Sequence, residues 1–214
     1  MDRQKPRGRQ SDATAQRTRQ QIVASARTLF AARGFAAVSL REIAEHAGVT
    51  HGLLRHHVGA KEDLWRAVID ATVQDYLAVI LPLIDAAATE AGAALPAVKA
   101  VSRAVVVMSG RYPEVARLLM HESVEGGPRL DYFIAQIAPL RALVTPLLDA
   151  VQRGGGLAHF THDTFLLALL MLGAMPFALA AFSRALSGAD LRAAAEIERH
   201  ADLVIAALFA GDGG

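Results

Sequence analysis

The chain of 214 residues contains no cysteine, which excludes a disulfide framework and thiolate metal sites and fits a reducing compartment. Its polar, basic start, MDRQKPRGRQSDATAQRTRQQ, lacks the apolar stretch that a secretory signal needs. Convincing strand alternation is missing throughout, as are internal repeats and low-complexity linkers. A large net charge is missing too, since the formal total is +1. What is there is 53% hydrophobic and 20% charged, enough apolar surface to bury a core and to exclude a disordered chain. The small total also hides an asymmetry: residues 1–66 carry +6 and residues 67–214 carry −5. A basic head on an acidic body is the electrostatic footprint of a nucleic-acid binder with one binding end.

Nearly every segment has helical periodicity. Ile22, Val23, Ala26, Leu29 and Phe30 recur at helical spacing and Gly34 follows as a stop, predicting a first helix from near Thr14 or Thr18 to Arg33. Residues 1–13, with Arg3, Lys5, Arg7 and Arg9, read as a flexible basic arm. Two short helices are expected at Ser39–Ala47 and from Thr50 to about His57, and a longer one opens at Ala60–Lys61. Further helices are expected near 72–91, 95–110, 113–124, 129–153, 163–184 and 190–210, punctuated by Gly92, Gly110, Gly126-Gly127-Pro128, Gly154–Gly156 and Gly188. Prolines 82, 139, 146 and 176 should kink or shorten the helices that contain them. The uncharged run Phe165–Phe182 approaches membrane-span length. With Gly173, Pro176, many small residues and no flanking positive cluster, it reads instead as a helix buried between layers or between subunits.

The stretch SLREIAEHAGVTHGLLRHHV, residues 39–58, carries the most information. Ser39 with Glu42 makes a capping box. Ile43, Ala44, Ala47 and Leu54 supply a small inward face, Gly48 allows the sharp turn, Val49 plugs it and Thr50 caps the next helix. Two short helices crossing steeply need such a pattern, and the second is expected to be the one that enters a DNA major groove. Its outward residues are His51, Gly52, Arg55, His56 and His57. Thr50 and Lys61, each at a helix start, are phosphate candidates, with the helix macrodipole adding to the pull. Ser39 and Arg41 on the preceding helix complete the expected DNA-binding set.

These residues resemble the TetR family of helix-turn-helix regulators, over residues 26–69. The family's Leu-Phe and Arg-Gly-Phe look like Leu29-Phe30 and Arg33-Gly34-Phe35. Its Ile-Ala and Ala-Gly-Val look like Ile43-Ala44 and Ala47-Gly48-Val49. Its final His-Phe and Lys-Glu-x-Leu look like His57-Val58 and Lys61-Glu62-x-Leu64. Two positions depart, Arg55 where the family has Tyr and Val58 where it has Phe. The resemblance implies an all-α fold: a three-helix DNA-binding domain over residues 14–60, then a helical domain over 61–214 for ligand binding and dimerisation. It implies a homodimer through the helices near 163–184 and 190–210, burying Leu166, Leu167, Leu170 and Phe177. The corresponding partners are a palindromic double-stranded operator and a small-molecule effector, in the cytoplasm and without a membrane. It also implies a pocket in the body, for which Met108, Met120, His121, Tyr132, Gln136 and Phe177 are the candidate lining.

Other chemistry finds little support. His46, His51, His56 and His57 lack the spacing of a metal site, and no cofactor is implied. His121 and Glu122, being adjacent, point to different helix faces and have no nucleophile beside them, so no enzyme is expected. Gly154–Gly156 follows a helix without a partner lysine and reads as a loop.

Overall fold

A computed structural model describes residues 7–87 and 92–210, with side chains over 12–86 and 92–210. Among them there is no strand. The helices are α1 (Arg7–Arg33), α2 (Leu40–His46), α3 (His51–Val58), α4 (Lys61–Ala87), α5 (Ala94–Arg111), α6 (Glu114–Glu125), α7 (Pro128–Arg153) and α8 (His162–Leu169). A π-helical turn (Leu170–Ala174) then leads into α9 (Met175–Ala178), α10 (Ala180–Ser187) and α11 (Ala194–Leu208). The chain divides into two compact units, Met1–Ala71 and Thr72–Gly214.

In the first unit α1 buries Ile22, Ala26 and Phe30 completely, a stripe at four-residue spacing. Against it lie Ile43, Ala44 and Ala47 of the α2 region and Leu54 and Val58 of α3, all buried. The core is completed by Leu64, Trp65, Val68 and Ile69 at the start of α4, each at most 1% exposed. The unit therefore ends at Ala71, inside α4, rather than at residue 60 as expected. Helix α1 is also longer than expected. Arg7–Ala13 are helical and continue α1; Arg3 and Lys5 lie outside the described residues.

The second unit gathers Val98, Val106, Leu148, Phe165, Leu169, Phe177, Ile197, Val204 and Leu208 into a core. Two glycines allow the closest approaches. A Cβ on Gly110 would sit 2.8 Å from Ile197, and one on Gly173 would sit 2.7 Å from Val106. Helices α4 and α7 run unbroken through Pro82, and through Pro139 and Pro146. All three prolines are on exposed faces, where water satisfies the carbonyl that a proline leaves without a donor. Pro176 instead occupies the first turn of α9, the helical position that needs no N–H.

The apolar run 165–182 is not one rod. The π-helical turn interrupts it, and the helical stretches 162–178 and 180–187 meet at 83°. By length and composition alone, α4 and α7 are long and apolar enough to cross a membrane, and the bent pair qualifies if counted as one broken span.

Candidate nucleic-acid interface and body cavity

The turn between α2 and α3 forms as its residues require. Ser39 Oγ accepts from the Glu42 N–H at 3.2 Å, and Glu42 Oε2 accepts from the Ser39 N–H at 2.7 Å. Gly48 has φ +66°, and the Val49 N–H reaches the Ala44 carbonyl at 3.0 Å. Thr50 Oγ1 then accepts from the Leu53 N–H at 3.2 Å, capping α3. Hydrogen bonding from Ser39 and then Arg33 holds the Glu42 carboxyl at about 2, well below its ordinary 4.5. Arg33 Nη1 is 2.9 Å from Glu42 Oε1. The Arg-Gly-Phe stretch is thereby explained as a clasp: Arg33 ties α1 to α2, Gly34 ends α1 at φ +76°, and Phe35 packs 5.6 Å from Phe30.

Two further contacts, separated too widely in sequence to be read from it, fix the short helices to α1. Arg19 Nη1 donates to the His57 carbonyl at 2.9 Å, and Gln21 Nε2 donates to the Ala47 carbonyl at 2.7 Å. Each satisfies a carbonyl at a helix C-terminus that the helix itself cannot.

With successive residues turned by about 100°, buried Leu54 and Val58 put Gly52, Leu53 and His56 on the outward side of α3. All three are exposed, as are His51 and Arg55 on one flank, while His57 on the other is half-buried. Gly52 is an ordinary helical residue, and a Cβ built on it meets nothing within 4 Å. Arg41 is exposed on α2. Ser39 is exposed, and its hydroxyl donates to Glu42 Oε2 at 2.7 Å. The Lys61 ammonium lies 4.2 Å from the centre of the Phe35 ring. The expected dipole attraction at the start of α4 is opposed by Glu62 and Asp63 in its first turn, and Asp63 Oδ2 already accepts from the Ala60 N–H at 3.0 Å.

The second unit holds a cavity of about 120 Å³ between α4, α5, α6, α7 and the π-helical turn. Its walls are apolar, with Leu119, Phe133, Ile137 and Leu170 among them, and the three hydroxyls of Thr72, Tyr76 and Ser109. Tyr76 and Ser109 are 3.2 Å apart, and Ser109 donates to the Val105 carbonyl at 2.8 Å. None of Met108, Met120, His121, Tyr132, Gln136 and Phe177 is in this wall. Leu119, Phe133 and Ile137 are each one residue from Met120, Tyr132 and Gln136, a rotation of about 100° around the helix. Phe177, fully buried, packs instead against the core with its ring 5.1 Å from His200. Glu122, also buried, accepts from Arg129 Nε at 2.9 Å, which makes it an ion-paired residue beside the α6–α7 turn.

Among the described residues no group of three or more His, Asp or Glu could hold a metal.

Residues 22–68 match the family described as bacterial regulatory proteins, tetR family. The HTH-type transcriptional repressor Rv3405c of Mycobacterium tuberculosis is 46% identical over 70 residues, covering 32% of this chain and 34% of that protein. The HTH-type transcriptional regulator TtgR of Pseudomonas putida is 40% identical over 72 residues, 33% of this chain and 34% of its own. Matches to these relatives thus span about a third of their length. The repressor KstR2 of Rhodococcus jostii is 29% identical over 141 residues, 64% of this chain and 66% of that one. Among solved structures, AibR in complex with isovaleryl coenzyme A and operator DNA superposes with a TM-score of 0.71 at 17% identity, covering 90% of this chain and 98% of that chain. That likeness is one of fold.

Proposed function

We propose, from the match of residues 22–68 to the tetR family of bacterial regulatory proteins, that the chain is a TetR-type DNA-binding transcriptional repressor acting as a homodimer. The observation that carries the reading is α3: an eight-residue helix with both ends held by side chains, its outward side formed by Gly52, Leu53 and His56, with exposed His51 and Arg55 on one flank. Arg55 and His56 would offer donors to base edges, and exposed Thr50 and Arg41 would contact phosphates. A two-fold dimer then requires a palindromic operator with half-sites about one helical turn apart. A role at an operator fits a cytoplasmic, non-enzymatic protein.

The body cavity supports a small apolar or aromatic effector. A dry apolar cavity of roughly 150 Å³ is known to admit a single aromatic ring, and this one is of similar order. Thr72, Val73 and Tyr76 in its wall belong to α4, the helix whose start is part of the first unit's core. A ligand that binds better when α4 is tilted would lower operator affinity by the same free energy that the operator withholds from the ligand.

The experiment is selection of bound sequences from a randomised duplex pool. Enrichment of a palindrome is expected. Salt-sensitive binding without any enriched sequence would replace this reading with that of a basic scaffold that grips phosphates only.

A further inference from the structure

Residues 52 and 53 remain unexplained by the folding of their own unit. Leu53 is 41% exposed, and among the described residues of the first unit it is the only exposed large hydrophobic side chain. Next to it, Gly52 occupies a regular helical position where alanine is preferred, yet a Cβ there would meet nothing within 4 Å. No turn, positive φ or internal contact calls for that glycine. The two lie beside His56 on the face of α3 opposite buried Leu54 and Val58, in a unit whose first 66 residues carry +6. An apolar knob beside a notch, on a positively charged unit, suits a surface whose apolar feature is recessed and whose rim is anionic. In the DNA major groove the outstanding apolar group is the C5 methyl of thymine.

We infer that Leu53 reads the 5-methyl group of a thymine in each operator half-site, and that Gly52 lets the α3 backbone come close enough for the contact. The inference rests on the reading of α3 as the DNA-reading helix. It assigns base preference to a side chain with no hydrogen-bonding group, alongside whatever His56 and Arg55 contribute.

The test uses the duplex selected from the randomised pool. Each thymine is replaced in turn by deoxyuridine, which removes only the methyl, and affinity is measured for the unaltered protein, Leu53→Ala and Gly52→Ala. At one thymine per half-site the unaltered protein should lose about fourfold in affinity, the worth of one buried methyl-sized group. Leu53→Ala should bind the thymine duplex more weakly and lose nothing further on uracil. Gly52→Ala should keep or raise the unfolding midpoint while binding several-fold more weakly on either duplex. Equal uracil effects with and without Leu53, or Leu53→Ala binding as tightly as the unaltered protein, would overturn the inference while leaving a sequence-specific regulator. Failure of the unaltered protein to select any sequence would overturn the underlying reading itself.

Discussion

Glu42 is the residue on which the start of α2 depends, since it accepts from Ser39 and pairs with Arg33. Its carboxyl sits at about 2 in the folded chain against an ordinary 4.5. Because the folded value is the lower one, its contribution is complete above about 4.5 and is lost as pH falls through that value toward 2. Glu42→Gln should therefore lower the unfolding midpoint of the protein near pH 6, and the difference from the unaltered chain should shrink on acidification to pH 3. A constant difference across that range would mean the charge is irrelevant. The cap itself was legible in the sequence, because Ser39 and Glu42 are three apart and the signal is local. The Arg33 partner was not, because a contact across nine residues and a turn depends on how α1 meets α2. Leu53 was passed over for a related reason: a leucine in a helix reads as core until the burial of its neighbours fixes which face is outward.

At the scale of the element, α3 is a single short helix that would be marginal alone and is held by what touches its ends. Thr50→Ala removes the N-terminal cap and should cost about 1 kcal/mol in chemical unfolding. Gln21→Ala strands the Ala47 carbonyl at the end of α2 and should cost a similar amount, roughly 1 kcal/mol. Helix existence and the order of elements followed from apolar periodicity, and the ends of α2 and α3 followed from their caps. The interruption of 165–182 did not follow. Periodicity carries no mark of a π-helical turn, which here accompanies the contact between Gly173 and Val106. The tolerance of α7 for two prolines was equally hidden, since it depends on which side faces water. Gly110→Ala should expose how tight the packing beside α11 is, with a loss of about 1–3 kcal/mol as Ile197 and Phe177 are displaced.

At the scale of the whole molecule, the expected dimer surface changes in composition. Phe177 is fully buried within the protomer and so unavailable to a second copy, while Leu166 and Leu170 line the cavity and are half-buried. Outward on the same helices and their neighbours are Leu167, Met171, Phe182, Leu186 and Leu203, each between 46% and 77% exposed. Apolar side chains this exposed are the candidates for the interface of the proposed homodimer. Leu186→Glu combined with Leu203→Glu should give a monomer in sedimentation with its fold retained. Phe177→Ala should instead destabilise the protomer by about 3–5 kcal/mol without that selective loss of association. The resemblance implies on which helices this surface would lie but not which residues form it, because a run that is apolar all round has no visible inner side.

The ending of the first unit inside α4 bears on whether the DNA reader can be detached and carried elsewhere. A fragment cut after residue 60, where the sequence suggests a boundary, would discard Leu64, Trp65, Val68 and Ile69 and leave the remaining three helices around a hole. Extended through Ala71, the same fragment keeps these four side chains with the rest of its unit. The shorter piece should be largely unfolded by circular dichroism and the longer one helical. A portable reader built from this chain must take along the first turns of a helix that belongs, by name and by length, to the body.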